Sequence, residues 1–239
     1  MIEAIGIIVP AHNEADHIAA CMTSIEAARE RVAPDIETHV VLVLDHCRDD
    51  TRGAAATAFR RSHAIIDVAY ANVGRARAHA AAVLMRHFSD CDPARLWLAT
   101  TDADSEVPAC WLQDQLQVAR SGYDACAGTV QVADWEAHGY EPHYVREYDA
   151  FYDRDDCESG VHPHVHGANL GVRANVYAAV GGFPPLATGE DHALWQALAK
   201  AGYKTLSTRA IQVLTSARLH ARAPQGFATF LAEFSASGN

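Results

Sequence analysis

LWLATTDAD, residues 96–104, is an apolar run of strand length that passes directly into two carboxylates. We predict a strand over Leu96–Thr100, and no turn residue separates it from Asp102 and Asp104, so both acids follow its carboxyl end. Three other apolar runs, Ile5–Val9, Val40–Leu44 and Ile65–Val68, precede it, and we expect Pro10 to end the first.

Segments with helical spacing of apolar residues lie between these runs. They cover about residues 15–31, 49–59, 76–88 and 108–119, and another follows at 190–201. Strictly alternating strands and helices, with strands that are apolar throughout, predict an α/β fold with a mostly parallel sheet and helices on both faces. Such sheets bind ligands beyond the carboxyl ends of their strands, where this chain carries Asn13, Glu14, Asp45 and the two acids of residues 102–104.

Composition narrows the class of function. The chain has 239 residues, 49% of them apolar, and 30 acidic against 19 basic residues give a net charge of −11. This charge argues against a binder of nucleic acid or anionic membranes, and a nucleotide would need a divalent cation between the two negative charges. We expect a cytoplasmic protein that is not integral to a membrane. No run reaches the roughly 18–20 apolar residues of a membrane span, the N-terminus lacks signal-peptide features, and the six cysteines form no CxxC pair.

Two acidic pairs are candidates for chemistry. Asp102 and Asp104 offer the hard oxygen ligands that Mg²⁺ or Mn²⁺ prefers, although an isolated DxD is more often a solvated turn. Their position at a strand end favours a site. Glu190 and Asp191 open a predicted helix, where acids commonly complement the helix dipole. A carboxylate held at that position could also serve as a general base.

Other polar residues have two interpretations each. Gly74, Arg75 and Arg77 form a phosphate clamp at a helix start or an ordinary surface charge pair. Asp45 is a turn acid or an acceptor for a base or ribose group. The histidines at 162, 164 and 166 form a zinc site or make polar contacts to a substrate. His220 stands alone and is typical of a surface histidine.

Taken together, these segments resemble glycosyltransferase family 2, whose members have the GT-A fold and use nucleotide-sugar donors. The resemblance covers about residues 4–220. It implies a Rossmann-like sheet with a nucleotide-binding half, residues 1–105, and an acceptor-side half, residues 106–239. The implied nucleotide contacts are Pro10, Ala11, His12, Asn13, Glu14, Asp45, Gly74, Arg75 and Asp102. One departure is Arg48, where members usually carry Ser or Thr.

The resemblance also implies a mechanism. Asp104, with Asp102 and a late histidine, His220, would hold Mg²⁺ or Mn²⁺ against the diphosphate. Asp191, paired with Glu190, would be the base for an acceptor hydroxyl in a hexosyltransferase reaction, with inversion the family-level expectation. UDP-linked donors are favoured, and the acceptor is open between a small molecule, a lipid-linked group and a glycan.

Three alternatives remain at this stage. A GT-A-like nucleotidyltransferase would also use a metal, but it would carry a Gly-rich basic signature where residues 10–14 lie. A non-catalytic nucleotide-sugar-binding domain would not need both acidic pairs. A zinc hydrolase would be built on the 162–166 histidines.

Overall fold

The computed structural model describes residues 1–133, 135, 143, 145–146 and 164–216. The strands in these ranges are β1 Ala4–Ala11, β2 Glu37–Asp45, β3 His63–Val68, β4 Leu96–Thr100, β5 Ser105–Glu106, β6 Ala125–Ala133, β7 Leu170–Arg173 and β8 Thr205–Ser216. The helices are α1 Ile18–Glu30, α2 Thr51–Ala56, α3 Val73–His87, α4 Trp111–Arg120, α5 Ala174–Ala179 and α6 Glu190–Lys200, and a 3₁₀ turn covers Gly167–Asn169.

The described strands form one eight-stranded sheet in the order β3-β2-β1-β4-β7-β6-β8-β5. β1 pairs in parallel with β2 and β4, β2 pairs in parallel with β3, and β6 pairs in parallel with β8. β7 runs antiparallel to both β4 and β6, and β5 runs antiparallel to β8. The predicted mostly parallel sheet is confirmed, whereas the division of function near residue 105 stays a prediction.

Helices cover both faces of the sheet. Ile5 and Ile7 of β1 pack into a core that includes Met22 of α1 and Trp111 of α4. Ile8 points to the other face and belongs to a second core with Leu84 of α3. Because successive side chains of a strand alternate between faces, a strand covered on both sides is apolar throughout. No helix in the described ranges combines the length and apolar character needed to cross a membrane.

The prediction that Pro10 ends the first strand is wrong, because β1 continues to Ala11 and Pro10 pairs with Val43. The main-chain groups of Ile8 point sideways towards the segment of β4, and its carbonyl accepts the Thr101 amide. The main-chain groups of residue 10 point in the same direction, but β4 pairs with β1 only as far as Ile8. The N–H that proline lacks would therefore have met no neighbouring strand.

Two strands were not predicted from the sequence, β6 over residues 125–133 and β8 over residues 205–216, and these strands pair with each other. Their register shifts between Gly128 and Thr129, a bulge that leaves main-chain carbonyls without ladder partners. The buried Asn169 side chain fills this gap, because its amide nitrogen donates to Thr129 O at 2.9 Å and to Ile211 O at 3.0 Å. Asn169 therefore joins the loop before β7 to this part of the sheet.

Candidate active site

Strained backbone marks the carboxyl edge of the sheet. Among the described residues, the non-glycine positions with positive φ are Asn13 (56°), His46 (59°) and Ala71 (46°). They follow the ends of β1, β2 and β3 respectively. Such conformations cost free energy and persist where the surrounding contacts hold them, which is typical of functional sites. The strain thus lies at the edge where the fold is expected to bind a ligand.

The loop after β1 is fastened to the loop after β2. His12 Nδ1 lies 2.7 Å from the backbone carbonyl of Asp45. The Asn13 side-chain oxygen accepts the Arg48 amide at 2.7 Å, and the Glu14 amide donates to Thr51 Oγ1 at 2.8 Å. The segment Pro10-Ala11-His12-Asn13-Glu14 therefore lies beside Asp45, and the role of these residues in nucleotide binding stays a prediction.

Asp45 uses its carboxylate to order the loop after β3. Oδ1 accepts the amides of Tyr70 at 2.7 Å and Ala71 at 2.9 Å, and Oδ2 accepts the amide of Asn72 at 2.8 Å. A carboxylate offers about four acceptor positions. Three are occupied by the backbone, so a base or ribose group would have only the position left on Oδ2.

The start of α3 differs from the predicted phosphate clamp. The Gly74 amide donates to Leu186 O at 3.1 Å, and the Arg75 amide donates to the Asn72 side chain at 2.9 Å. A Cβ on Gly74 would lie 2.2 Å from Pro184 O. The two amides thus have protein partners instead of the phosphate that we expected. The exposed Arg75 guanidinium, stacked 4.4 Å from the Tyr70 ring centre, stays a predicted anion contact.

A buried guanidinium joins the two acidic pairs. The Arg77 side chain is 3% exposed, and its Nη2 donates to Asp102 Oδ1 at 2.6 Å. Its Nε donates to Glu190 Oε1 at 2.9 Å. Nη1 donates to Thr100 Oγ1 at 2.7 Å and contacts Gly167 O at 3.3 Å. Side chains that are distant in sequence therefore converge around this one cation.

From the sequence, Arg77 was predicted to belong either to a phosphate clamp or to a surface charge pair, and its burial between two acids was not foreseen. A signal was present, because Arg77 lies on the same helical stripe as Ala80, Ala81 and Leu84, which are all buried. A charged residue in an apolar stripe requires buried partners. The sequence alone does not identify those partners, since they come from β4, the 166–169 loop and α6.

Burial and charge act against each other at this cluster. Burial alone would lower the pKa of Arg77, but the negative charges of Asp102 and Glu190 outweigh it and raise that pKa above its ordinary value. Burial raises the pKa of Glu190, and the Arg77 charge only partly offsets this effect. The arrangement stabilises a permanent cation between two acids.

Glu190 and Asp191 have different surroundings. Glu190 is buried against Arg77, whereas Asp191 is partly exposed. Asp191 Oδ2 accepts the Gly167 amide at 2.7 Å, and Oδ1 accepts the His192 amide at 2.7 Å. These two bonds fix the carboxylate and leave each oxygen a further acceptor position. Asp191 is therefore the member of the pair that could accept a proton, and Glu190 is the member that anchors Arg77.

The carboxylates of Asp102 and Asp104 fit a divalent cation that is shared with a ligand. The Asp102 side chain is 38% exposed and keeps Oδ2 outside its bond with Arg77, and Asp104 is also partly exposed. Within the described ranges, no three or more His, Cys, Asp or Glu side chains are arranged to hold a metal. Mg²⁺ and Mn²⁺ commonly take one or two carboxylates, with water and phosphate oxygens completing the shell. The donor set suits such a site better than a cage made of protein alone.

The structure describes only some of the histidines in the predicted metal sites. His220 and His162 lie outside the described residues. The rings of His164 and His166 are nearly parallel, with centroids 6.2 Å apart. Both the late-histidine ligand and the zinc arrangement stay predictions.

A comparison with known protein families identifies the family of this chain. The model of glycosyl transferase family 2 matches residues 6–181, which is more than half of the chain. The chain belongs to glycosyl transferase family 2. The family prediction is thereby confirmed, and no curated protein matches the chain.

Solved structures confirm the GT-A fold. Residues 1–349 of S. aureus TarS, in complex with UDP-GlcNAc, superpose with a TM-score of 0.66 at 13% identity, covering 94% of this chain and 61% of that one. The mannosyltransferase PcManGT from Pyrobaculum calidifontis, in complex with GDP-Man and Mn²⁺, gives a TM-score of 0.65 at 18% identity, covering 97% and 60%. The chain thus spans about three-fifths of the length of these proteins, and at such identities the likeness shows the fold alone.

Proposed function

We propose that this family 2 protein transfers a sugar from a nucleoside-diphosphate donor to an acceptor hydroxyl, with a divalent cation at Asp102 and Asp104. The observation that carries the proposal is the Arg77 network, which brings Asp102 and Glu190 to one guanidinium at the carboxyl edge of the sheet. Asp191 adjoins Glu190 in the first turn of α6. The acids that the chemistry needs therefore share one region.

The nucleotide would lie on the loops after β1, β2 and β3. His12 and Asn13 are partly exposed there, and strained backbone holds these loops in place. Similar folds bind UDP-GlcNAc in TarS and GDP-Man in PcManGT. We favour a UDP-linked sugar as the donor, with GDP-linked sugars as the competing class.

A divalent cation at this place would neutralise charge on the departing diphosphate. Asp102 would contribute Oδ2, since Arg77 holds Oδ1, and Asp104 would contribute its carboxylate from the same turn. PcManGT, with a similar fold, binds GDP-Man together with Mn²⁺, which supports the choice of Mn²⁺ or Mg²⁺ here. The cation would also reconcile a protein of net charge −11 with a polyanionic donor.

Asp191 would take the proton from the acceptor hydroxyl. Its carboxylate is fixed by the amides of Gly167 and His192, so its free acceptor positions have a set direction. A base held in this way can act as the hydroxyl attacks the anomeric carbon. Attack from the face opposite the diphosphate gives inversion of configuration.

Product analysis tests the reaction class. Purified protein with Mn²⁺ is incubated with UDP-GlcNAc, UDP-glucose or GDP-mannose, and released nucleoside diphosphate is measured, with water as the acceptor where no better one is present. A parallel reaction contains UTP or GTP and a sugar phosphate, and pyrophosphate is measured. Metal-dependent release of nucleoside diphosphate supports the proposal. Pyrophosphate release would identify a nucleotidyltransferase, and donor binding without either product would identify a binding domain.

A further inference from the structure

The most completely bonded charged side chain at the site is Arg77, and its bonds reach both acids that the proposed reaction needs. Nη2 holds Oδ1 of Asp102 at 2.6 Å, which sets the direction of the remaining oxygen. Nη1 contacts the carbonyl of Gly167, whose amide in turn holds Asp191 Oδ2 at 2.7 Å. Nε anchors Glu190, the residue before Asp191.

The surroundings of Arg77 are specific to a guanidinium. Its planar fork reaches several acceptors from different elements at once, whereas a lysine ammonium is a single point of charge. Gly167 permits the close approach, because a Cβ there would lie 2.3 Å from Arg77 Nη2. The ring of Phe183 lies 5.9 Å from the guanidinium carbon. The Arg77 guanidinium is thus enclosed, and the carboxylates that it binds have little freedom to move.

We infer that Arg77 is a positioning residue, which holds Asp102 directly and Asp191 through Gly167, so that the cation-binding and proton-accepting carboxylates keep a fixed relation. The inference rests on the proposed function. Arg77 has no contact with substrate in this role and acts through the acids alone. Groups that orient metal ligands typically change metal affinity by about 10- to 100-fold when they are altered.

A second buried arginine provides a matched control. The Arg29 side chain is 1% exposed and donates to Glu26 Oε1 at 2.5 Å. It also donates to the hydroxyl and carbonyl of Thr38 and to the carbonyl of Ser62. These partners lie at the amino ends of β2 and β3, at the opposite edge of the sheet. Arg29→Lys therefore perturbs a similar buried pair without touching the site.

The test is a Mn²⁺ titration of the full chain in the presence of saturating UDP or GDP, with calorimetry as the measurement of Mn²⁺ affinity. For Arg77→Lys we expect the apparent Mn²⁺ affinity to fall by roughly 10-fold or more, whereas Arg29→Lys stays within about twofold of the unmodified protein, as expected for a distant site. Equal Mn²⁺ affinity in Arg77→Lys and the unmodified protein would overturn the inference. An equal loss in both variants would also overturn it, since it would reflect general destabilisation.

A second variant covers the case in which Arg77→Lys does not fold. Gly167→Ala keeps the Arg77 charge but forces its guanidinium to move, so Mn²⁺ affinity should again fall, and an unchanged affinity would contradict the inference. Absence of any Mn²⁺-dependent UDP or GDP binding in the unmodified protein is a different result. It would contradict the proposed function itself. Normal Mn²⁺-dependent binding that does not change in Arg77→Lys would contradict only the inference about Arg77.

Discussion

The two adjacent acids at the start of α6 differ in burial and in hydrogen bonding. Glu190 is 4% exposed and bonds to a buried guanidinium, whereas Asp191 is bound by two main-chain amides and remains partly exposed. Carboxylates in the same helical turn thus differ in what they can do. The buried acid serves as an anchor, and the exposed one retains acceptor positions for a proton.

Asp191→Asn tests the assignment of the base. The amide cannot take up a proton at neutral pH, so we expect turnover to fall by about 10²- to 10⁴-fold. The affinity for UDP or GDP with Mn²⁺ should change little, because the change leaves Asp102 and Asp104 intact. Turnover is measured by nucleoside diphosphate release, and affinity by calorimetry.

Asp114→Asn is the matched control, since Asp114 also lies in a first helical turn, that of α4. This control should keep its turnover. Asp191→Asn protein that folds normally and retains more than about a tenth of the turnover would show that another group accepts the proton.

His39 makes stability depend on pH. His39 is 6% exposed, its ring stacks on the His87 ring with centroids 3.8 Å apart, and its Nδ1 lies 2.7 Å from Ser62 Oγ. Burial, with the positive charges of His87, Arg29 and His63, lowers the pKa of His39 to about 4. In the unfolded chain the histidine pKa is about 6.5, so between pH 6.5 and pH 4 the unfolded chain binds a proton at this residue and the folded chain does not. This contribution to stability is present above pH 6.5 and is lost as the pH falls towards 4.

We therefore expect the free energy of unfolding to fall by at most about 3 kcal/mol from this histidine between pH 7 and pH 4. In His39→Gln this part of the pH dependence should disappear, and in His192→Gln, at an exposed position away from His39, it should remain. Urea denaturation at several pH values measures the difference. Parallel pH curves for the unmodified protein and His39→Gln would refute this account.

At the scale of elements, the N-terminus of α3 illustrates how packing changes a local prediction. The sequence predicted a helix from Ala76, but it begins at Val73 because the Asn72 side chain caps it. Two residues at this helix start bind one loop, since Asn72 Nδ2 donates to Pro185 O at 3.1 Å and the Gly74 amide donates to Leu186 O. The helix start is thus joined to the loop that precedes α6.

Gly74→Ala tests this close packing. The new Cβ would lie 2.2 Å from the main-chain oxygen of Pro184, so the backbone must move. We expect a loss of about 1–3 kcal/mol in the free energy of unfolding. Gly53→Ala in α2 is the control, because the three atoms nearest to its Cβ would all belong to the Asp50 side chain and not to the main chain. Its loss of capping, about 1 kcal/mol, is offset by a similar gain in helix propensity. Equal stability losses in chemical denaturation would contradict the packing account.

Local pattern was sufficient for some elements and not for others. The apolar segment Leu96–Thr100 was predicted with its bounds, since its length is that of a strand and polar residues follow it directly. β8 was missed because TLSTRAIQVLTS, residues 205–216, mixes Thr, Ser, one Gln and one Arg with apolar residues. Its strand conformation depends on pairing with β6 and β5, which lie far away in the sequence.

At the scale of the whole molecule, the sheet explains why candidate site residues could be recognised before their partners. Parallel strands deliver Asn13, Asp45 and Asp102 to one edge, and this follows from the order of strands and helices. The partners of Asp45 and Arg77 depend on how loops and helices pack over that edge, so no local pattern identifies them. The Leu186 carbonyl that accepts the Gly74 amide also depends on this packing, and phosphate binding at the start of α3 stays a prediction.

The measurement that tests the central claim most directly is thermal unfolding with UDP and with GDP, each with and without Mn²⁺. One nucleotide should raise the melting temperature only when Mn²⁺ is present. Ligand at 100 times its Kd adds about 2.7 kcal/mol, which is several degrees for a chain of this size. EDTA or Asp104→Asn should abolish the shift, while Asp67→Asn, on an acid that is 71% exposed, should retain it. The account is contradicted if the nucleotides stabilise the protein equally without Mn²⁺, or if Asp104→Asn responds like the unmodified chain.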